Sequence, residues 1–101
     1  MAGIVWSEPA LADLESIADW VALYNPSAAT ALVRRVFAHV GQLADHPDSG
    51  GRIPELRDTD YRQIVEPPCR IFYRHDGSQV LIVHVMRSER HLRREWLEGG
   101  V

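Results

Sequence analysis

Two stretches in the first half of the chain carry apolar residues at helical spacing. The first stretch repeats them every three or four positions, at Leu11, Leu14, Ala18 and Val21. With Ser7 as an N-cap, this pattern predicts a helix from about Glu8 to Tyr24. The second stretch has the same kind of stripe at Ala29, Leu32, Val33, Val36, Val40 and Leu43. Because Asn25-Pro26 is a helix start signal, we predict a second helix from Pro26 to about Asp45, which completes a helical hairpin.

The remaining apolar segments are patterned for strands. Runs of β-branched and aromatic residues predict four of them, at Gly3–Trp6, Tyr61–Val65, Arg70–Arg74 and Gln79–Met86. The last two are joined through Asp76-Gly77, the strongest short signal for a hairpin. In the final strand, Leu81, Val83 and Val85 alternate and predict one continuous apolar face. We expect residues 52–60 to be a loop and Glu89–Leu97 to be a short last helix.

This order, β-α-α-β-β-β-α, predicts an α+β fold. Three strands in sequence favour a small antiparallel sheet, and the helical hairpin covers one of its faces. The other face is then partly open, so we expect function there. A chain of 101 residues has room for only one hydrophobic core. We therefore predict that residues 1–101 form a single domain.

Composition and charge narrow the class of protein. All 11 basic residues are arginines, and the formal net charge of −3 argues against nonspecific binding of nucleic acid. The first fifty residues carry two arginines against six acids, and the rest carry nine against eight, so an anion-binding surface is expected in the second half. The chain has no signal-peptide pattern and no apolar run long enough to span a membrane. We therefore expect a cytoplasmic protein with no membrane partner.

No residue pattern indicates a metal site, a cofactor or a nucleophile. The five histidines show no ligand-like spacing with Cys69 or with carboxylates. Cys69 has no indicated histidine base, so a buried structural thiol is the better interpretation. The prediction is no metal, no cofactor and no catalytic residue.

Arginines near one end of the predicted sheet are the main candidates for binding. The set is Arg62, Arg70, Arg74, Arg87 and Arg90. Guanidinium groups interleaved with aromatic rings suit phosphate and base recognition, and they suit carboxylates on an acidic partner equally well. Solubility alone also explains many surface arginines, but their clustering favours an interaction surface.

A second candidate surface is an apolar rim at the end of the first helix. Trp20, Leu23 and Tyr24 precede the tight turn between the two helices. Core packing is their default explanation. A partly exposed group of such residues would instead be a docking surface.

The chain as a whole resembles the RelE/ParE superfamily of bacterial type II toxins, and it is most similar to the ParE, or plasmid stabilisation, branch. The resemblance covers roughly residues 4–97. Its matching pieces, in order, are residues 6–14 (WSEPALADL), 43–47 (LADHP), 61–65 (YRQIV), 69–74 (CRIFYR) and 80–90 (VLIVHVMRSER). The fold that this family implies agrees with the predicted order of elements.

The resemblance implies one of two activities. RelE-like members cleave mRNA on the ribosome. They use lysines, an arginine within a strand, a second arginine later in the chain, and a C-terminal tyrosine. Arg70 matches the strand arginine, but the chain contains no lysine and the tyrosine position holds an arginine or Trp96. ParE-like members lack that set and poison DNA gyrase by binding.

The sequence therefore favours a non-enzymatic toxin of a toxin–antitoxin module. We expect it to inhibit DNA gyrase, to be neutralised by a cognate ParD-like antitoxin, and to meet operator DNA only through that antitoxin. The alternative is a ribosome-dependent mRNA endonuclease of the RelE type.

Overall fold

Five strands and two long helices make up most of the computed structural model, which describes residues 1–98. The strands are β1 (Gly3–Trp6), β2 (Gly51–Arg52), β3 (Arg62–Glu66), β4 (Cys69–His75) and β5 (Gln79–Arg87). The helices are α1 (Glu8–Ala22), α2 (Pro26–Gly41) and α3 (Glu95–Glu98), with 3₁₀ turns at Gln42–Ala44 and Pro54–Leu56. The predicted α+β class and the order of its elements are confirmed. The short strand β2 and the turn after it lie where the sequence predicted only a loop.

Both long helices start at the predicted caps. The Ser7 hydroxyl accepts a hydrogen bond from the Ala10 backbone N–H at 3.1 Å, and the Asn25 side chain accepts one from Ala28 at 3.1 Å. These bonds satisfy amide groups that a helix leaves without partners at its start. Both helices end a few residues earlier than predicted, because α1 closes in a tight turn and α2 tightens into a 3₁₀ turn.

The sheet has the strand order β1-β5-β4-β3-β2. Strands β3, β4 and β5 are antiparallel neighbours, as predicted. Their second hairpin turns at Gly77, whose φ of 98° suits glycine. Strand β1 pairs with β5 in parallel, with Gly3 opposite Gln79. The sheet is therefore mixed, with an antiparallel centre and a parallel edge strand.

A β-bulge interrupts the alternation of β5. Phe72 lies opposite His84 and Tyr73 lies opposite Ile82, so Val83 has no residue facing it on β4. As a result, the prediction that Leu81, Val83 and Val85 share one face is wrong. The extra residue shifts the alternation of side chains along β5 by one position. The side chains that pack under the helices are therefore Val80, Ile82 and Val85.

The core between the helical hairpin and the sheet is continuous. It is formed by buried residues of α1 and α2, by Leu43, and by the helix-facing residues of β3, β4 and β5. Tyr73 is fully buried there, and its hydroxyl accepts a hydrogen bond from the Gly50 backbone N–H at 2.9 Å. Burial also raises the pKa of Tyr73.

The opposite face of the sheet is more covered than the sequence suggested. Phe72 and Met86 on this face pack against Leu56, Leu92 and Leu97. The predicted helix over Glu89–Leu97 is wrong for its first part, because only Glu95–Glu98 is helical. The segment before it follows a non-helical path, in which its backbone forms hydrogen bonds with the side chains of Arg70 and Glu55.

Candidate interaction surface

The five predicted arginines lie on both faces of the sheet. On β4, Cys69, Ile71 and Tyr73 face the helices, so Arg70, Phe72 and Arg74 face the other side. Arg87 is paired with Cys69 across the strands, and Arg62 is paired with Tyr73. Cross-strand partners share a face, so these two arginines belong to the helical side. The arginines therefore do not form one cluster.

Arg70 is the centre of a buried polar network. Its side chain meets both carboxylate oxygens of Glu55, at 2.7 and 2.9 Å, and donates twice to the Gln63 side-chain oxygen, at 3.0 and 2.8 Å. It also donates to the backbone carbonyl of Arg90 at 3.1 Å, while Glu55 accepts a bond from the Leu92 N–H at 2.9 Å. These last two bonds use backbone groups that a helix would need, which is why the segment before α3 is not helical.

The network has a clear electrostatic consequence. Arg70 is only 7 % exposed, and its hydrogen bonds to Glu55 are the main reason that the pKa of this carboxyl is lowered to about 2. A charge-assisted, bidentate pair of this kind is strong where water is excluded. Arg70 thus fastens the chain after β5 to the sheet, and its part in partner binding stays a prediction.

Arg74 and Arg90 line a common cleft of about 690 Å³. The cleft runs along β5 from the start of α1 to α3, and its apolar floor includes Val5, Leu81 and Val83. The Arg90 guanidinium lies over the Trp96 ring, 5.4 Å from its centre. Such a cleft has the size and the mixed polarity of a binding site.

His84 and Asp13 add a polar pair to the wall of this cleft. The His84 Nδ1 atom lies 2.6 Å from an Asp13 carboxylate oxygen, which also accepts the Val85 backbone N–H at 3.1 Å. The His84 ring is stacked on Phe72, with 5.8 Å between ring centres. Asp13 therefore joins α1 to the strand at the bulge. The sequence pattern does not reveal this pair, because only the register at the bulge brings the two residues, 71 positions apart, together.

Arg87 connects the two predicted surfaces. Its guanidinium lies over the Trp20 ring at 4.6 Å from the centre, a cation–π contact between β5 and α1. It also forms an ion pair with Glu89 at 3.2 Å. Trp20, Leu23 and Tyr24 are 43, 78 and 82 % exposed. We call these three residues together with Arg87 the Trp20 rim.

Arg62 lies apart from the other arginines, near the β2 edge of the sheet. It donates to the Gly50 carbonyl at 2.8 Å and lies 4.0 Å from Asp48. Asp48 also approaches His75 at 3.5 Å. The local contacts of Arg62 are therefore structural.

Other chemistry is limited in the described part of the chain. Cys69 is fully buried, and burial raises its pKa to about 11, so its thiol is unreactive at neutral pH. Among the side chains of residues 1–97, no three from His, Cys, Asp or Glu are placed to hold a metal ion together. None of the helices in that range is long and apolar enough to cross a membrane.

Comparison with known proteins gives consistent matches. Residues 4–92 match the family described as the ParE toxin of the type II toxin–antitoxin system parDE. The chain is 35 % identical over 89 residues to Toxin RelE2 of Caulobacter vibrioides, an alignment that covers 86 % of this chain and 92 % of the relative.

Two solved structures share the fold. A chain of the chromosomal ParDE toxin–antitoxin system from P. aeruginosa superposes with a TM-score of 0.71 at 27 % identity, covering 88 % of this chain and 98 % of that one. A chain of the RelBE2 toxin–antitoxin complex from Mycobacterium tuberculosis gives a TM-score of 0.58 at 21 % identity, covering 85 and 96 %.

Proposed function

Because the chain belongs to the ParE toxin family of type II toxin–antitoxin systems, we propose that it arrests growth by binding DNA gyrase. It acts in the cytoplasm as an inhibitor without chemistry of its own, so that DNA cleaved by gyrase accumulates. A cognate ParD-like antitoxin neutralises it and is the component that contacts operator DNA. On a plasmid, such a pair stabilises inheritance.

The burial of Arg70 is the observation that carries this proposal. Arg70 matches the strand arginine that RelE-like ribonucleases use, but here its guanidinium is bound to Glu55 and Gln63 beneath the chain after β5. A guanidinium occupied in this way is not free to meet a scissile phosphate. The chain also has no lysine to take over that role. Both observations favour inhibition by binding over cleavage.

The Trp20 rim is the surface that we assign to gyrase. It combines a large exposed ring and two other exposed apolar residues with the cation of Arg87. Tryptophan, tyrosine and arginine are the residue types that contribute most binding energy at protein interfaces. The rim also lies outside the cleft that contains Arg74 and Arg90, so the molecule has two separate candidate surfaces.

A gyrase cleavage assay tests the proposal. The protein is freed from its antitoxin, shown to be folded by circular dichroism, and mixed with purified gyrase, supercoiled plasmid and ATP. We expect linear DNA that is covalently trapped on gyrase, and we expect added antitoxin to prevent its formation. Normal supercoiling in the presence of folded protein would show that gyrase is not the target.

The cleft supports a second candidate, an mRNA endonuclease of the RelE type. Arg74 and Arg90 could bind phosphate there, and Asp13 holds the His84 ring in a fixed orientation, which is how a histidine base is positioned in many enzymes. Cuts at codon-phased positions in translated messages, lost in the variant His84→Gln, would favour this candidate. Intact messages in a translating extract would exclude it.

A further inference from the structure

Three arginines near α3 have no carboxylate partner. Among the described side chains, no carboxylate oxygen lies within 4.0 Å of the guanidinium groups of Arg74, Arg90 and Arg93. Other arginines of the second half are already engaged, namely Arg70 with Glu55, Arg87 with Glu89 and Arg94 with Asp58. Guanidinium groups without a counter-charge are available to an anion from another molecule. We call these three arginines together with Trp96 the Trp96 patch.

The Trp96 ring holds two of these cations in place. The guanidinium groups of Arg90 and Arg93 lie 5.4 and 6.0 Å from its centre. The ring itself is fixed, because it meets the His84 ring edge-on at 6.0 Å between centres and packs against the cluster that contains Leu97. A guanidinium that lies over an aromatic ring still has N–H groups at its rim for hydrogen bonding. Two such groups on one ring favour an anion with several oxygens, such as a phosphate.

The distribution of charge favours a polyanion that is presented by another molecule. Residues 87–97 carry four arginines against two glutamates, whereas the exposed side of α1 carries Glu8, Glu15 and Asp19. A polyanion is therefore attracted to the Trp96 patch and repelled by α1. The formal net charge of −3 makes binding to nucleic acid by the chain alone weak. A second attachment, which raises the local concentration of the polyanion, compensates for this weakness.

We propose that the Trp96 patch binds backbone phosphates of the DNA that gyrase holds, so that the chain contacts the enzyme and its DNA at once. This rests on the proposed function in one respect, namely that gyrase is the target. The Trp20 rim lies outside the cleft that contains Arg74 and Arg90, so the protein contact and the DNA contact use separate surfaces. Phosphate contacts orient a protein on DNA without reading its sequence. The patch therefore adds affinity and does not select the cleavage site.

Photo-crosslinking tests the contact directly. A diazirine amino acid replaces Glu95, which is exposed and lines the cleft beside Trp96. In a control chain it replaces Gln42, which is exposed in the 3₁₀ turn after α2. Each chain is mixed with purified gyrase and end-labelled DNA and is then irradiated. We expect labelled DNA on the chain only from position 95. No DNA cross-link from position 95, or equal cross-links from both positions, would overturn the proposal.

Removal of two cations tests their contribution. The double variant Arg90→Gln/Arg93→Gln is compared with Arg34→Gln/Arg57→Gln, which makes the same change of net charge at exposed positions elsewhere. In the gyrase cleavage assay, we expect the first variant to need at least about tenfold more protein for half-maximal cleavage. The slope of this concentration against salt, on logarithmic scales, should fall by about 2. Equal half-maximal concentrations for the two double variants would contradict the proposal.

Removal of the nearby carboxylate should have the opposite effect. Glu95 is the acid beside Trp96 that would repel a phosphate. We expect Glu95→Gln to lower the half-maximal concentration several-fold, a gain that damage to the fold does not produce. Asp45→Asn, at an exposed position away from the patch, should leave it unchanged. No gain with Glu95→Gln, or an equal gain with both variants, would contradict the proposal.

The two proposals fail in different ways. If the folded wild-type chain leaves supercoiling by gyrase normal, the proposed function fails and the DNA contact fails with it. If the wild-type chain and the Arg90→Gln/Arg93→Gln variant trap cleaved DNA equally well, the proposed function survives and the DNA contact fails. If the variant instead loses cleavage of translated messages while gyrase is unaffected by the wild-type chain, the patch binds RNA and both proposals are overturned.

Discussion

Gly50 shows how closely one residue can be fixed by its neighbours. A Cβ atom added there would lie 2.5 Å from the Tyr73 hydroxyl and 2.7 Å from the Gln63 carbonyl oxygen. Because Tyr73 is fully buried, it has little room to move. We expect Gly50→Ala to lower the free energy of unfolding by about 1–3 kcal/mol. Urea denaturation measures this, and Gly51→Ala, where no atom lies within 4 Å, should be nearly neutral.

Glu55 should titrate far below an ordinary carboxyl. Its pKa is lowered from 4.5 to about 2, chiefly by the hydrogen bonds from Arg70. A carboxyl with a lowered pKa in the folded state stabilises the protein above its unfolded pKa, and that stability is lost as the pH falls towards the folded pKa. The loss should amount to about 3 kcal/mol between about pH 4.5 and 2.

An NMR titration of the Glu55 side-chain carboxyl tests this prediction. The wild-type midpoint should lie near 2, and in a folded Arg70→Gln variant it should rise. A wild-type midpoint close to the ordinary value of 4.5 would show that the pair with Arg70 is not formed in solution.

At the scale of elements, the chain after β5 is held by two buried leucines and by the Arg70 network. Leu92 is 1 % exposed and packs against the face of the sheet that carries Phe72. Leu92→Ala should cost about 2–5 kcal/mol through the cavity that it leaves. It should also make the bonds after Arg93 and Arg94 more accessible to trypsin. His91→Ala is the matched control, since His91 is exposed, and equal cleavage in the two variants would contradict the prediction.

Local signals predicted the elements well and their contacts poorly. The N-caps at Ser7 and Asn25 and the turn at Asp76-Gly77 depend on neighbouring residues, so the sequence reveals them. The bulge at Val83 depends on how β5 is aligned with β4, which no local pattern records. The irregular path after β5 likewise depends on Glu55 and Arg70, which are distant in sequence from Leu92.

At the scale of the whole molecule, the arginines form several sites instead of one. Arg70 and Arg74 lie on one face of β4, as strand alternation requires. The sequence could not place Arg87 over Trp20, because that contact depends on how α1 crosses the sheet. Nor could it show that Arg70 is buried, since burial depends on the chain after β5. The candidate surfaces thus follow from the packing of elements, and composition predicts only that arginines matter.

The Trp20 rim gives a prediction about toxicity. Arg87→Glu would place a carboxylate over the Trp20 ring and beside Glu89, which removes the cation–π contact and repels an acidic partner. We expect this variant to remain folded, because the Arg87 side chain is still 35 % exposed, and to lose most of its growth arrest in cells. Arg57→Glu, at an exposed position outside the rim, makes the same change of net charge and should stay toxic.

The measurement is colony survival after induction without antitoxin, combined with circular dichroism of each purified variant. Full toxicity of a folded Arg87→Glu variant would remove the rim from the gyrase interface, whereas equal loss in both variants would point to net charge instead of a specific contact.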